Sequence, residues 1–210
     1  MKRVLLATTA AALCAAGGLL PANAAPTAVG DLWAVSSAIA QDAVPGNVPV
    51  TTPNVVFSAP SAPLSFNPTD TSAIYTYSTW LGSGGATIIS HDLPLTHTMN
   101  NSLINFTGTV TVTTGEKFSI GHDDGVTLVI AGLTVISAPG GTAYAITSAT
   151  YTGPSGNEPY QLVYAECCGP PAALFISLPL VSPPIPEPAS LAILGTGLLG
   201  LGFWRRRKRR

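Results

Sequence analysis

The clearest pattern along the chain is a two-residue alternation of apolar and polar side chains in its middle part. Over residues 104–113, Ile, Phe and Val positions alternate with Asn and Thr positions. A period of two is typical of a half-buried β-strand. Similar apolar runs return after turns rich in Gly, Asp and Pro, and they predict further strands at Phe118–Ile120, Val126–Ile130, Leu133–Ser137, Tyr144–Tyr151, Tyr160–Cys167 and Ala172–Leu178.

These strands predict an all-β domain over residues 71–180, folded as an antiparallel β-sandwich. No part of the body shows a convincing helical period, and residues 153–159 are expected to form a loop. The preceding segment, 25–70, is rich in Pro, Ala and Thr. Because proline lacks an amide donor, we expect residues 42–68 to form an extended arm or sheet edge with only short strands, such as Asn54–Ser58.

The first 24 residues have the pattern of a secretory signal peptide. Two bases precede an uncharged apolar run over residues 4–20, and Ala22 and Ala24 form a small-x-small cleavage site. This order is typical of exported proteins, with a buried N-terminal helix as the alternative. We expect signal peptidase to cleave after Ala24 and the body to reach a compartment that permits disulfides.

A second apolar segment, residues 189–210, lies at the C-terminus and ends in six consecutive bases. A Pro-rich linker over residues 181–188 precedes it. As a helix the uncharged run would be about 25 Å long, which is short for a hydrocarbon core of about 30 Å. The basic cluster is typical of a stop-transfer signal that stays cytoplasmic.

The Pro-Glu-Pro motif, the Gly-rich apolar helix and the Arg-rich end resemble, in this order, the PEP-CTERM sorting signal of Gram-negative bacteria. In that family an exosortase, a membrane transpeptidase-like enzyme, removes the tail. The resemblance implies an inner-membrane intermediate and delivery to the cell surface or the exopolysaccharide matrix; a plain membrane anchor is the alternative. It is carried by Pro186, Glu187, Pro188, Arg205, Arg206 and Arg207.

Charge is distributed unevenly along the 210 residues, although the net charge is only -1. Residues 25–188 carry one base, Lys117, against ten acids, which gives this body a net charge of -9. A body this acidic excludes a basic nucleic-acid binder. The charged share of 9%, against roughly 25% in an average protein, also excludes a charged disordered chain.

Candidate chemistry is concentrated in Gly121-His122-Asp123-Asp124-Gly125, which lies between two predicted strands. Asp and Gly favour turns, so a solvated turn is one interpretation. The other is a Ca²⁺ site, because adjacent carboxylates repel each other and Ca²⁺ takes about 6–8 oxygen ligands.

The wider segment 117–132, together with residues 160–166 and 173–176, resembles the protective-antigen-like and GLEYA-type lectin sandwiches of secreted glycosidases, toxins and fungal flocculins. In the adhesive members an Asp-Asp pair, joined by a cis peptide, holds Ca²⁺, and the ion binds sugar hydroxyls. The resemblance implies that Asp123 and Asp124 form the calcium pair.

The closing loop of this chain lacks the amide ligand of the lectin members, so Asn157 or backbone carbonyls are expected to contribute instead. The resemblance further implies a ligand-binding loop region made of His122, Gly125, Cys167, Cys168, Gly169 and Pro170.

Cys167 and Cys168 are the two cysteines that remain after signal cleavage. Neighbouring Cα atoms are about 3.8 Å apart, whereas disulfides usually join Cα atoms about 5.5–6 Å apart. A vicinal disulfide that forms a rigid, flat element of the ligand loop is one interpretation. Intermolecular pairing and two unpaired thiols are the others, and a zinc site is disfavoured because no second cysteine pair or His pair is near.

The sequence does not favour an enzyme. A Gly-x-Ser-x-Gly nucleophile motif is absent, and the adjacent acids differ from glycosidase acids, which face each other across roughly 5–9 Å. We therefore expect an exported, non-enzymatic protein that binds polysaccharide, with Ca²⁺ as its candidate cofactor. The alternative is a structural matrix or biofilm protein with no small ligand.

Overall fold

The computed structural model describes residues 27–61, 63–177 and 180–181. The expected signal peptide at 1–24, the Pro-Glu-Pro linker after residue 181 and the apolar tail at 189–210 lie outside these residues. A short 3₁₀ turn covers Pro45–Asn47. The strands and α-helices are β1 Thr27–Ala34, α1 Ser37–Ala40, β2 Val55–Pro60, β3 Leu64–Phe66, α2 Tyr77–Ser83, β4 Thr87–His91, β5 Ser102–Val112, β6 Lys117–Asp123, β7 Gly125–Ile130, β8 Leu133–Ala138, β9 Ala145–Thr150, β10 Gly156–Glu166, β11 Ala173–Ile176 and β12 Leu180–Val181.

The strands form two antiparallel sheets, which confirms the expected all-β sandwich. The larger sheet has the order β4-β2-β1-β5-β10-β7-β8, and β12 also pairs with β5. The smaller sheet has the order β3-β11-β6-β9. The alternating segments of the sequence correspond to β5 through β11, although β10 begins at Gly156 and so takes in part of the expected loop at 153–159.

The expected boundary at residue 70 is wrong, because the sandwich begins at β1. This strand lies between β2 and β5 and pairs with both, from Thr27 opposite Pro60 to Ala34 opposite Ser102. β2 also has a neighbour on each side, β1 and β4. The prolines of this region lie beside the strand or at its last residue, Pro60, so they leave its amide donors free to pair.

The sandwich core is built around a group of aromatic rings. The indole of Trp80, in α2, stacks on Phe66 with ring centroids 4.1 Å apart and lies parallel to Tyr164 at 5.8 Å. Phe57 meets Phe106 edge to face at 5.6 Å. Helix α2 therefore closes part of the core, which the sequence did not predict because its seven residues are too few to show a helical period.

The outer face of the larger sheet is covered as well. Trp33, Leu103 and Val163 are buried in a second apolar cluster, against which Val35 and Ile39 pack. β5 is consequently buried on both faces over its first five residues and becomes half-exposed only later. No helix within the described residues is long and apolar enough to cross a membrane.

Candidate functional site

Three connections between the two sheets meet at one end of the sandwich. β6, in the smaller sheet, ends at Asp123 and β7, in the larger sheet, begins at Gly125, so the chain crosses between the sheets at Asp124. The segment between β8 and β9 and the segment between β10 and β11 make the same kind of crossing. Because β6 and β7 do not pair with each other, the Asp-Asp segment is a buried crossing rather than a solvated hairpin turn.

Asp124 is held by backbone amides from both of the other crossings. Its Oδ1 accepts a hydrogen bond from Thr142 N at 2.9 Å. Its Oδ2 accepts from Cys167 N at 2.8 Å and from Cys168 N at 3.2 Å. The side chain is 3% exposed. Backbone donors of this kind stabilise a charged carboxylate, so they fix Asp124 as an oriented acceptor.

The peptide bond between Asp123 and Asp124 is cis, as the resemblance implied. The backbone carbonyl of Asp123 accepts a hydrogen bond from the Tyr164 hydroxyl. The Asp123 side chain is 5% exposed and lies beside that of Asp124 at the floor of an open cleft. Both carboxylates are therefore built into the crossing and face the same space.

Glu166 is the member of this acidic cluster that sequence reasoning missed. It is fully buried at the end of β10, and its carboxylate joins those of Asp123 and Asp124 in a cluster whose oxygens lie within 4.8 Å of one another. Its Oε2 accepts a hydrogen bond from the Tyr164 hydroxyl at 3.3 Å. Its Oε1 is buried and has no hydrogen-bond partner among the described residues.

The clustering of the carboxylates raises the pKa of two of them, Glu166 and Asp123. Burial and the charges of Asp124 and Asp123 raise the pKa of Glu166 to about 10. Burial and the charge of Asp124, with a smaller effect from Asp70, raise the pKa of Asp123 to about 6. Lys117, the only Lys or Arg in the described ranges, begins β6, six residues before Asp123 and about 20 Å away.

Two more oxygens near this cluster are buried without partners. The hydroxyl of Tyr75 has no hydrogen-bond partner in the described chain, and burial followed by the charges of Glu166 and Asp124 raises the pKa of Tyr75 to about 12. Oδ1 of Asp70 is likewise unpartnered there, and burial raises the pKa of Asp70. Buried polar atoms normally have hydrogen-bond partners, so this end of the sandwich is unusual in having several buried oxygen atoms without one.

Those oxygens fit a hard cation. Ca²⁺ takes oxygen ligands, both carboxylate and neutral, and three carboxylates with a spare buried oxygen match that preference. A metal that prefers sulfur or imidazole would find neither at these atoms, since both cysteine sulfurs are in a disulfide.

The cleft in front of the aspartates has a volume of about 390 Å³. Its floor is the Asp123–Asp124 pair, and its walls come from the other two crossings. One wall is the segment from Gly141 to Ala143, and the other runs from Cys168 to Pro171. Cys167 and Cys168 form a vicinal disulfide, and the Pro170–Pro171 peptide bond is cis.

Three of the residues expected in the ligand-binding loop, His122, Gly125 and the buried Cys167, are not among the residues that line the cleft. His122 is 1% exposed; its Nδ1 hydrogen-bonds to the Asp124 carbonyl at 2.5 Å and its Nε2 to Thr147 Oγ1 at 2.8 Å. Gly125 is buried against Pro139, whose carbonyl oxygen would lie 2.1 Å from an added Cβ. His122 and Gly125 support the backbone of the crossing. Cys168, Gly169 and Pro170 do line the cleft, as expected.

The expected role of Asn157 as a calcium ligand is wrong. Asn157 is exposed near the start of β10, where its Oδ1 accepts a hydrogen bond from Thr111 Oγ1 at 2.6 Å. Glu166 is nine residues further along the same strand, which separates the two by about 30 Å. The sorting-motif residues Pro186, Glu187, Pro188, Arg205, Arg206 and Arg207, and the cleavage-site residues Ala22 and Ala24, lie outside the described residues.

Comparison with solved structures identifies the body. The PA14 domain of the antifreeze protein MpAFP is 19% identical with a TM-score of 0.53, and the match covers 70% of this chain and 78% of that one. The PA14 sugar-binding domain from an RTX adhesin is 16% identical with a TM-score of 0.53, covering 72% of this chain and 88% of that one. The body has a PA14-like fold.

The PA14-like body is followed by a recognised sorting signal. Residues 184–208 match the PEP-CTERM protein-sorting motif. This match confirms the resemblance seen at the C-terminus and marks an exported protein that is processed by an exosortase. No curated protein is similar enough in sequence to count as a match.

Proposed function

We propose that the PA14-like body is a calcium-dependent carbohydrate-binding domain of a non-enzymatic exported protein. An exosortase delivers it to the cell surface or exopolysaccharide matrix of a Gram-negative bacterium, after an inner-membrane intermediate. The sugar-binding PA14 domain of the RTX adhesin supports the ligand class, and the matched sorting motif supports the route.

The observation that carries this proposal is the cluster of Asp123, Asp124 and Glu166. Three buried carboxylates within 4.8 Å of one another are costly without a counter-charge, and no Lys or Arg of the described chain lies near them. A divalent cation would neutralise most of this charge. When bound, Ca²⁺ supplies a positive centre that attracts sugar hydroxyls into the cleft.

The chain's own residues have distinct roles in this proposal. Asp123 and Glu166 contribute carboxylate oxygens, while Asp124 is oriented by Thr142 N and Cys167 N. Tyr164 links the Asp123 carbonyl to the Glu166 carboxylate and so joins the crossing at β6 to the end of β10. A cleft of about 390 Å³ is within the range of about 300–1,000 Å³ found for small-molecule sites.

The same arrangement argues against glycoside hydrolysis. A glycosidase needs two carboxyl groups roughly 5–9 Å apart on either side of the scissile bond. Here the carboxylates converge on one point, and Glu166 is fully buried behind the aspartates. We therefore propose binding without turnover.

The proposal is tested by passing the purified protein over an immobilised neutral polysaccharide panel with Ca²⁺ and then with EDTA. We expect retention in Ca²⁺, elution by EDTA, and no retention of Asp123→Asn. Glu158→Gln is the matched control, because Glu158 is an acid near the opposite end of β10. Equal retention of Asp123→Asn, or retention that survives EDTA, would contradict calcium-dependent binding.

A structural matrix protein without a small ligand is the second candidate. β9 is an edge strand of the smaller sheet, and its Ile146 is 68% exposed. An exposed edge strand can pair with another chain. Self-association in EDTA that Ile146→Lys abolishes, measured by sedimentation, would favour this candidate over the lectin.

A further inference from the structure

The wall of the cleft after β10 has an unusual composition. It consists of the Cys167–Cys168 disulfide, Gly169 and the cis Pro170–Pro171 pair. Cys167 is 5% exposed, whereas Cys168 is exposed and lines the cleft. The disulfide thus has one half anchored in the protein and the other half facing the space above the aspartates.

The disulfide is fixed relative to the carboxylate floor from two sides. The amides of Cys167 and Cys168 both donate to Asp124 Oδ2, at 2.8 and 3.2 Å. On the other side, Gly141 packs so closely that an added Cβ would lie 2.6 Å from Cys167 Sγ and 3.0 Å from Cys168 Sγ. Gly141, the disulfide and Asp124 therefore form one packed unit across the cleft.

The chemistry of this wall differs from that of the floor. Sulfur, Cβ and proline ring atoms give an apolar, polarisable surface, while the floor offers carboxylate oxygens. No aromatic ring is among the residues that line the cleft in the described chain, so this wall is its main apolar surface. A sugar ring has the complementary character, with a face of C–H groups and an edge of hydroxyls.

We propose that the Cys167–Cys168 disulfide is a specificity-determining surface that contacts the C–H face of a neutral sugar ring whose hydroxyls lie above Asp123 and Asp124. The inference rests on the proposed function and deepens it. An anionic sugar is disfavoured because the described residues that line the cleft include no Lys, Arg or His to pair with its carboxylate. The disulfide contributes apolar contact and a fixed distance from wall to floor.

The test compares the wild-type protein with Cys167→Ala/Cys168→Ala on an array of neutral and uronic-acid glycans in Ca²⁺. Metal binding is measured separately by terbium luminescence, which Tyr164 and Trp80 beneath the site can sensitise. We expect the double variant to bind terbium within about threefold of wild type, because Cys167 N directly follows β10 and Thr142 N is unchanged. We expect its affinity for the best neutral glycan to fall about tenfold.

A second measurement removes the disulfide without a substitution, so the proposal remains testable if the double variant does not fold. Wild-type protein is reduced with dithiothreitol, free thiols are counted, and near-ultraviolet circular dichroism verifies the fold. Reduction should weaken glycan binding as the double substitution does, and it should leave the double variant unchanged.

The outcomes separate the two proposals. Wild-type protein that binds metal but no glycan overturns the proposed function, and this inference with it. Wild-type binding that the double variant retains within twofold overturns the inference alone. A fall in glycan affinity that only follows an equal fall in terbium affinity also overturns it, since the disulfide would then act through the metal site. Preferred binding of uronic-acid glycans contradicts the neutral ligand class.

Discussion

At the scale of single residues, Glu166 is the buried acid that completes the carboxylate cluster. Its burial follows from the alternation of side chains along β10. The core-facing side of this strand carries Tyr160, Leu162, Tyr164 and Glu166, and all four are buried. A carboxylate at an inward-facing strand position needs a partner. The two-residue spacing of these positions is visible in the sequence, so Glu166 could have been identified from it as an inward-facing acid.

Replacing Glu166 tests the electrostatic cost of the cluster. The folded-state pKa of Glu166 lies above its ordinary value of 4.5, so folding takes up a proton above that pH and stability falls as the pH rises toward 10. The Glu166→Gln variant has no carboxyl group at this position, so its folding does not require this proton uptake. In EDTA at pH 8 we expect this variant to gain on the order of 1–3 kcal/mol in free energy of unfolding.

The measurement is urea unfolding at pH 8 and pH 4. At pH 4 the carboxyl is protonated in both states, so the gain should disappear. Glu158→Gln makes the same substitution on the same strand, far from the cluster, and should show no such pH-dependent gain. A Glu166→Gln variant that is less stable than wild type at pH 8 would contradict a repulsive carboxylate cluster.

The pair Asp123–Asp124 was identifiable from sequence, whereas its partners were only partly so. Adjacent acids between two apolar strands are a local signal. The partners depend on which ends of distant strands meet, and that is set by the crossings between sheets. Asn157 was a wrong choice for this reason: it belongs to the same strand as Glu166 but lies about 30 Å from it.

At the scale of elements, alternation predicted β5 to β11 because each of these strands has one face in the core. It was less informative in the Pro-rich segment before residue 70, where β1 was not predicted. The short strand expected at Asn54–Ser58 corresponds to β2, but β2 pairs with a strand on each side instead of lying at a sheet edge. Helix α2 was missed because the sequence marks it by an N-terminal capping box and not by a helical hydrophobic period.

That cap is directly testable. The Thr76 hydroxyl accepts from Thr79 N at 3.3 Å, and Thr79 Oγ1 accepts from Thr76 N at 2.9 Å, which forms a capping box. We expect Thr76→Ala to lower the free energy of unfolding by about 1 kcal/mol. Thr76→Ser keeps the hydroxyl and should lose much less. Equal losses in both variants, measured by urea unfolding, would show that the cap does not stabilise α2.

At the scale of the whole molecule, the two ends and the body differ in charge and in the proteins or motifs that they resemble. Eight of the nine bases lie in the ends, and residues 184–208 match a sorting motif. The body is acidic and has a PA14-like fold. The net charge of -1 is therefore the sum of a basic contribution from the two ends and an acidic contribution from the body.

Removal of the C-terminal end can be followed by blotting. We expect an epitope placed after Arg210 to be lost from the mature protein, while an antibody against the folded body still detects it. Pro186→Ala/Glu187→Ala disrupts the motif and should retain the epitope. A mature surface form of the wild-type sequence that still carries the epitope would instead indicate a permanent membrane anchor.

The most direct test of the account is a calcium titration of the purified protein by calorimetry. We expect one Ca²⁺ per chain with a dissociation constant below about 1 mM, the range of extracellular calcium modules. Asp123→Asn and Glu166→Gln should each weaken binding at least about tenfold, since each removes a charged oxygen ligand, and Glu158→Gln should not weaken it. Absence of saturable binding up to about 10 mM, well above that range, or undiminished binding by Glu166→Gln, would contradict the proposed site.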